Sequence, residues 1–497
     1  QSAREVIERR VLRLSAEARR VLSVGAVIGA EFDLALVARA AGLADPRALD
    51  LLDEAIGASL LTRTEITRES LVDIGLTEVY AFSHGLVQRT LYDAVPAGRR
   101  AVLHLVVAET IEASCGSAVD VRLDELAHHF LAAIPAGAAG RAVDYARRAG
   151  ERGLRHFAYD QAASLFQRAL AVSGDEEPVT RIELLQGLGD ALMRAGHPEA
   201  SRRALFEAAA VARRHDQPEA LARAVRACGI WGLSLGVDED LVGLAEESID
   251  RLEGRANPRL VAEIKGLLAA ALYYAPDAER RARLAGEALA GARAEHDRVG
   301  TPESQRTLAY VLGRYLLARW GPDSATRDFP LAEELLDHCR ELGDIELEVL
   351  ARNWRTSVLL ELGAFAAVEE EVARIEHMAT ELRQPRAMVF LPLHRGILAV
   401  KSGRFAEAER LNAASREIGG RLRGSVSQLA APTQMLLIRL QQGRLAELEE
   451  QVRSTVEAYP SIVTARAALI VVLLQSGRPE EARAEFERVV GAGLARI

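Results

Sequence analysis

The chain has 497 residues, 49% of them apolar, 27% charged and only 5% aromatic, with a net charge of −9. That length is too great for one ordinary domain, and the apolar fraction excludes wholesale disorder. Ala, Leu, Arg and Glu dominate, which suits stacked helices and not a large sheet, and the acidic balance without a basic tail or stripe excludes a nucleic-acid or anionic-membrane partner.

The first hundred residues mix element types. Glu5 to Leu14 reads as a short amphipathic helix, and Ser15 is a good N-cap for a second helix from Ala16 to Val27. A third runs from Asp33 to Ala41 and stops at Gly42, and Pro46 precedes a fourth from Arg47 to Ser59. The pattern then changes to β-rich alternation at residues 60–66 and 79–83, separated by a polar turn at 67–77. Helices from His84 to Ala94 and from Arg99 to Ala113 follow. Three helices, a small hairpin and a closing helix predict a winged helix.

From about residue 120 onward every segment reads as helix, in pairs joined by similar turns at Gly196, Gly363, Gly403, Gly443 and Gly477. A recurring helix–Gly-turn–helix unit of this period is the mark of tetratricopeptide-like repeats, in which each pair buries a face on its neighbours. Tyr159 to Ala163 reads as the first such turn, and 230–345 has no clear repeat boundaries. The expected fold is all-α with a minor β hairpin: a winged-helix domain at 1–113, a helical linker at 114–155 and a superhelix at 156–497, taken as truncated at its C-terminal end. Leu469, Ile470, Val471, Val472, Leu473 and Leu474 on the last first-helix, with Phe486, Val489 and Val490 on its partner, would leave that end apolar, so self-association through residues 465–497 is expected.

Catalytic chemistry finds no support. Lys occurs only at Lys265 and Lys401, neither following Gly, so no phosphate-binding P-loop exists. HExxH and GxGxxG are absent, and the His128-His129 pair lacks a second ligand cluster at a metal-like spacing. No catalytic residue, metal or cofactor is expected in this chain. Three dispersed cysteines and the absence of any long apolar run fit a cytoplasmic protein.

The runs Ile7 to Ser15, Ala26-Val-Ile-Gly-Ala-Glu-Phe-Asp33, Tyr80 to Asp93 and Arg99 to His104 resemble the segment that follows the nucleotide-binding module in STAND-type regulatory ATPases. Leu126-Ala-His-His-Phe130 and Ala142 to Glu151 are similar too. The relatives are LuxR-type transcription regulators and multidomain adenylyl cyclases. The resemblance implies a parent that binds ATP or ADP upstream, with the winged helix partnering that nucleotide-binding domain and the repeats sensing an effector. It also implies that His84, within Phe82-Ser-His-Gly-Leu86, matches a histidine that approaches the ADP phosphates. Ser83 and Gly85 stand where the family has Met and Asp. A histidine capping the helix is the alternative role.

A direct DNA-reading winged helix is the competing function, and its charge opposes it. Residues 1–110 hold 13 Arg against 15 Asp and Glu, and the candidate reading helix carries Asp50, Asp53 and Glu54. For effector binding, Tyr273, Tyr274, Arg314, Tyr315, Trp320, Asn353, Trp354 and Arg355 combine aromatic and polar groups as recognition surfaces do, although such residues also serve as core.

Overall fold

The computed structural model describes residues 3–66, 77–174, 177–229, 236–255, 257–321, 324–382, 385–421, 427–460 and 462–491. The chain divides into two compact units, 1–177 and 178–497.

The first unit begins with α1 (Ala3–Leu12) and α2 (Ala16–Ile28), the latter capped by the Ser15 hydroxyl, which accepts from the Ala18 amide at 3.1 Å. Next come β1 (Glu31–Asp33), α3 (Leu34–Ala41), α4 (Asp45–Gly57), β2 (Leu61–Ile66), β3 (Thr77–Phe82) and α5 (Gly85–Ala94). The expected hairpin is therefore the larger part of a three-stranded antiparallel sheet, in the order β1-β3-β2. Phe32 pairs with Tyr80 and Leu61 with Phe82. The third strand escapes the sequence because it is three residues long and Asp33 both ends it and caps α3, accepting from Leu36 N at 2.6 Å. The order of helices and hairpin follows the order read from the sequence, with β1 added. The polar turn expected at 67–77 lies, but for Thr77, outside the described residues.

Phe32 stacks on Tyr80 and tilts against Phe82, and its ring fills the space over Gly25, where a Cβ would meet it at 2.7 Å. The buried face of α2 packs on α3, α4, α5 and α6 (Ala97–Cys115). After a 3-10 segment, α7 (Leu123–Ala132), α8 (Ala139–Arg155) and α9 (Tyr159–Leu170) complete the unit. The helical segment at 114–155 and the first helix pair thus group with the winged helix, instead of dividing at 113 and 155.

The second unit is a run of helices in pairs. The first five are α10 (Pro178–Arg194), α11 (Pro198–Arg214), α12 (Pro218–Cys228), α13 (Glu239–Leu252) and α14 (Pro258–Ala271). Then come α15 (Ala278–Val299), α16 (Pro302–Arg319), α17 (Ala325–Leu342), α18 (Ile345–Glu361), α19 (Phe365–Leu382) and α20 (Pro385–Lys401). The last are α21 (Phe405–Arg421), α22 (Ser427–Gln441), α23 (Glu449–Ala458), α24 (Val463–Gln475) and α25 (Pro479–Gly491). Each even-numbered helix from α10 to α20 packs on its odd-numbered partner and on the next even-numbered helix. Each odd-numbered helix from α11 to α23 also touches the pair that follows. That is the nearest-neighbour stacking of a tetratricopeptide-like solenoid.

The turn glycines behave as their positions require. Gly196, Gly363, Gly403, Gly443 and Gly477 all have φ between 69° and 89°, the left-handed conformation that ends a helix without a Cβ penalty. In the irregular middle, Gly300 and Gly343 take the same conformation after the second helices α15 and α17, so the sequence period is broken there while the pairing is kept. At the far end, Val471, Leu474, Phe486 and Val490 are exposed, but Val489 is buried at 7% exposure. Leu469, Val472, Leu473 and Val489 are buried in the interior of this pair and do not belong to the apolar edge assigned to them from the sequence.

Candidate functional site

Helix ends decide where the sequence-predicted residues go. His84 precedes α5 and is exposed, and its Nδ1 accepts the Leu86 amide at 3.0 Å. The capping role is thus realised, and it uses one of the free amides that would otherwise face an anion.

Four of the eight groove candidates are structural. Arg314, 4% exposed, donates from Nη1 to the Gly229 carbonyl at 2.6 Å and lies over the Tyr310 ring, stapling α16 to the end of α12. Asn353 is buried and donates to the Val349 carbonyl at 2.9 Å, one turn back on α18. Tyr315 is half-buried against the core formed by α15 to α18. Arg355 pairs with Glu333 and, at 3.0 Å, with Glu371, which is 2% exposed. Arg352 reaches the other oxygen of Glu371 at 2.8 Å, so one buried carboxylate holds two guanidinium groups between α18 and α19.

The remaining four lie on or just after three successive first helices. Tyr273 and Tyr274 follow α14, with rings edge-to-face at 5.0 Å. Trp320 follows α16, is 38% exposed, and donates its indole N–H at 2.7 Å to Glu361, the last residue of α18. Trp354 on α18 meets Trp320 edge-on at 6.0 Å. The charge of Glu361 reaches the Tyr273 phenol, and burial pushes both tyrosines up, Tyr274 to about 12. Sequence reasoning missed Arg281 here: it donates to the Tyr273 carbonyl at 2.5 Å and lies over that ring. Burial lowers its pKa, and the charge of Arg319 lowers it further. No local signal marks Arg281, because it starts the next helix and reaches back across a turn.

A second grouping was also missed. His104 on α6 lies against the His128-His129 pair of α7, supplying the further ligand-type side chain that the sequence did not show within a metal-like spacing. Burial holds His104 down at about 4 and His129 at about 3, with the neighbouring histidines and Arg100 or Arg122 adding to the effect. Both rings are neutral at physiological pH. The three cysteines are free, and burial pushes Cys228 and Cys339 up to about 12, which makes them poor nucleophiles.

No protein-family model matches this chain, and no curated protein matches its sequence. Among solved structures it is similar to a STAND protein with a tetratricopeptide-repeat sensor from Pyrococcus horikoshii, at 13% identity and a TM-score of 0.37. That similarity covers 98% of this chain, which spans 64% of the other. A Rap protein complexed with competence and sporulation factor matches at 13% identity and a TM-score of 0.46, over 71% of this chain and 98% of that one. The human IFIT1 dimer with a capped RNA matches at 13% identity and a TM-score of 0.38, over 97% and 96%. No helix among the described residues is long and apolar enough to cross a membrane.

Proposed function

We propose that the chain is the signal-sensing and regulatory region of a STAND-type ATPase that controls transcription. In this reading the repeats bind an effector and the winged helix couples that event to an upstream nucleotide-binding switch. The observation that carries it is the grouping on α14, α16 and α18, where Trp320 is partly exposed beside Trp354, which also packs on the core, and where Arg281 lies over the half-buried Tyr273. Trp320 offers an exposed aromatic face, Tyr273 and Tyr274 a half-buried one, and Arg281 with nearby Arg319 a positive field. That chemistry suits an effector with an apolar or aromatic part and an anionic group, such as a peptide with a free carboxylate. In the parent regulator, Trp320→Ala with Trp354→Ala should abolish the response to the inducing effector while basal ATP turnover persists. An unchanged response would move the sensing site elsewhere in the array.

The reading helix of a DNA-binding winged helix would be α4, and its charges are spent internally. Arg47 pairs with Glu17, Glu54 accepts from the Ser15 amide and hydroxyl, and Arg63 pairs with Asp53. A coupling role fits this acidic face better than a phosphate-contacting one. The same architecture would serve a regulatory scaffold in a multidomain adenylyl cyclase. For the nucleotide switch, His84 is the residue proposed to approach ADP in the parent, through the ring nitrogen not used in capping. His84→Ala there should speed ADP release and raise basal output, and an unchanged release rate would leave it a cap alone.

A further inference from the structure

Three of the histidines in the first unit, His104, His128 and His129, form a knot that neither the winged-helix fold nor the sensing role uses. Their ring centroids lie 5.1 Å apart for His104 and His129, 5.7 Å for His104 and His128, and 5.1 Å for His128 and His129. One ring nitrogen from each lies within 4.8 Å of the other two. A tetrahedral zinc ion, with Zn–N bonds of about 2.0–2.1 Å, holds its ligand nitrogens about 3.3 Å apart. The separations seen here bracket that value, since Nδ1 of His104 and Nδ1 of His129 are 2.8 Å apart.

Three further observations point to a bound cation. Two imidazole nitrogens at 2.8 Å must share something between their lone pairs, either a proton or a metal ion. His129 is fully buried, and its Nε2 has no hydrogen-bond partner, so only one nitrogen of this ring is engaged by the packing of α6 on α7. Nε2 of His104 lies 2.9 Å from the Tyr92 hydroxyl, and in the tautomer that donates there its Nδ1 carries a lone pair. An outer partner of that kind orients a metal-ligating histidine.

We propose that His104, His128 and His129 form a zinc-class metal site with three imidazole ligands and an open fourth position. His128, exposed on the surface of α7, is the entry point, and His104 and His129 form the buried floor. Three neutral imidazoles suit zinc, copper or nickel, and not the hard cations magnesium and calcium, which take oxygen ligands. The field around the rings carries Arg100, Arg122 and Arg168 against Glu125. That excess of positive charge moderates affinity and favours water or a small anion in the fourth position. The bound ion would clamp α6 to α7, at the corner where the winged helix passes into the first helix pair.

The test uses the whole chain, stripped with a chelator and titrated with zinc by calorimetry and with cobalt(II) by visible absorption. The expected result is one ion per chain, cobalt bands of tetrahedral type, and no response to magnesium. His128→Ala removes an exposed ligand without opening the core, and should weaken binding at least about tenfold while the helical circular dichroism is unchanged. Tyr92→Phe, which removes only the outer partner, should weaken it by about 10–100-fold. His156→Ala, a surface control, should bind as the parent chain does. Absence of stoichiometric binding by the unmodified chain, or equal affinity in His128→Ala, overturns the proposal.

Discussion

At the scale of single residues, burial sets the largest effects. Glu371 is 2% exposed and holds Arg352, itself 5% exposed, together with Arg355. Removing the carboxylate strands a guanidinium inside the protein, so Glu371→Ala should lower stability by about 3–5 kcal/mol, measured by denaturant unfolding. Substituting the exposed Glu341 should change little, and equal effects at the two sites would show that Glu371 is not a buried clamp. His394 on α20 offers a pH test. It is 4% exposed, and burial alone pushes it from its ordinary 6.5 down to about 4. The unfolded chain therefore takes up a proton that the folded chain refuses, and the stability contribution is complete above pH 6.5 and declines as pH falls towards 4. Between pH 7 and pH 5 the parent chain should lose roughly 2 kcal/mol relative to His394→Gln. Parallel pH profiles for the two proteins would exclude burial of a neutral imidazole there.

At the scale of elements, close approach of the two helices in a pair depends on small residues. A Cβ on Gly150 of α8 would meet the Phe166 ring of α9 at 2.8 Å, and one on Gly189 of α10 would meet Leu205 of α11 at 2.5 Å. The two glycines hold equivalent places in successive pairs, each admitting a side chain from the partner helix. Leu205 is 1% exposed and has no room to move. Gly189→Ala should therefore cost about 1–3 kcal/mol in overpacking, offset by up to about 1 kcal/mol of helix propensity. On α13, Gly243 has nothing within 4 Å of such a Cβ, so Gly243→Ala should keep the propensity gain and raise the melting temperature. Opposite signs at the two positions are the expected readout, and equal signs would refute close packing at Gly189.

At the scale of the whole molecule, charge decides which partners are excluded. The net charge is −9, and many arginines are engaged by carboxylates on the same or neighbouring helices. A duplex DNA fragment should not be retarded by the chain even at low salt, where phosphate contacts are strongest. A salt-sensitive shift at low ionic strength would instead favour the direct DNA-reading alternative. The exposed apolar side chains on α24 and α25, notably Leu474, Phe486 and Val490, remain the places where self-association is expected. Buried Val489 cannot report on it, because Val489→Asp would place a charge in the core.

The sequence by itself determined what local rules govern. Left-handed glycines, proline starts, the Ser15 cap and the helical period are properties of a few adjacent residues, and they made the order of helices and hairpin and the paired solenoid legible. In 230–345, where helix length varies, the sequence reads as helical but shows no clear repeat boundaries. Tertiary structure decided the rest. Arg355 reads as a recognition-surface residue and is half of a buried clamp, because Glu371 lies on the neighbouring helix. Trp320, Tyr273 and Arg281 become one cluster only when successive helix ends align. His104 joins His128 and His129 because α6 packs on α7, a contact between residues 25 positions apart that no sequence spacing announces. Secondary structure follows from hydrogen bonds and dihedral preferences within one or two turns. Sites are made by side chains meeting across helices, and that depends on packing which only the folded chain defines.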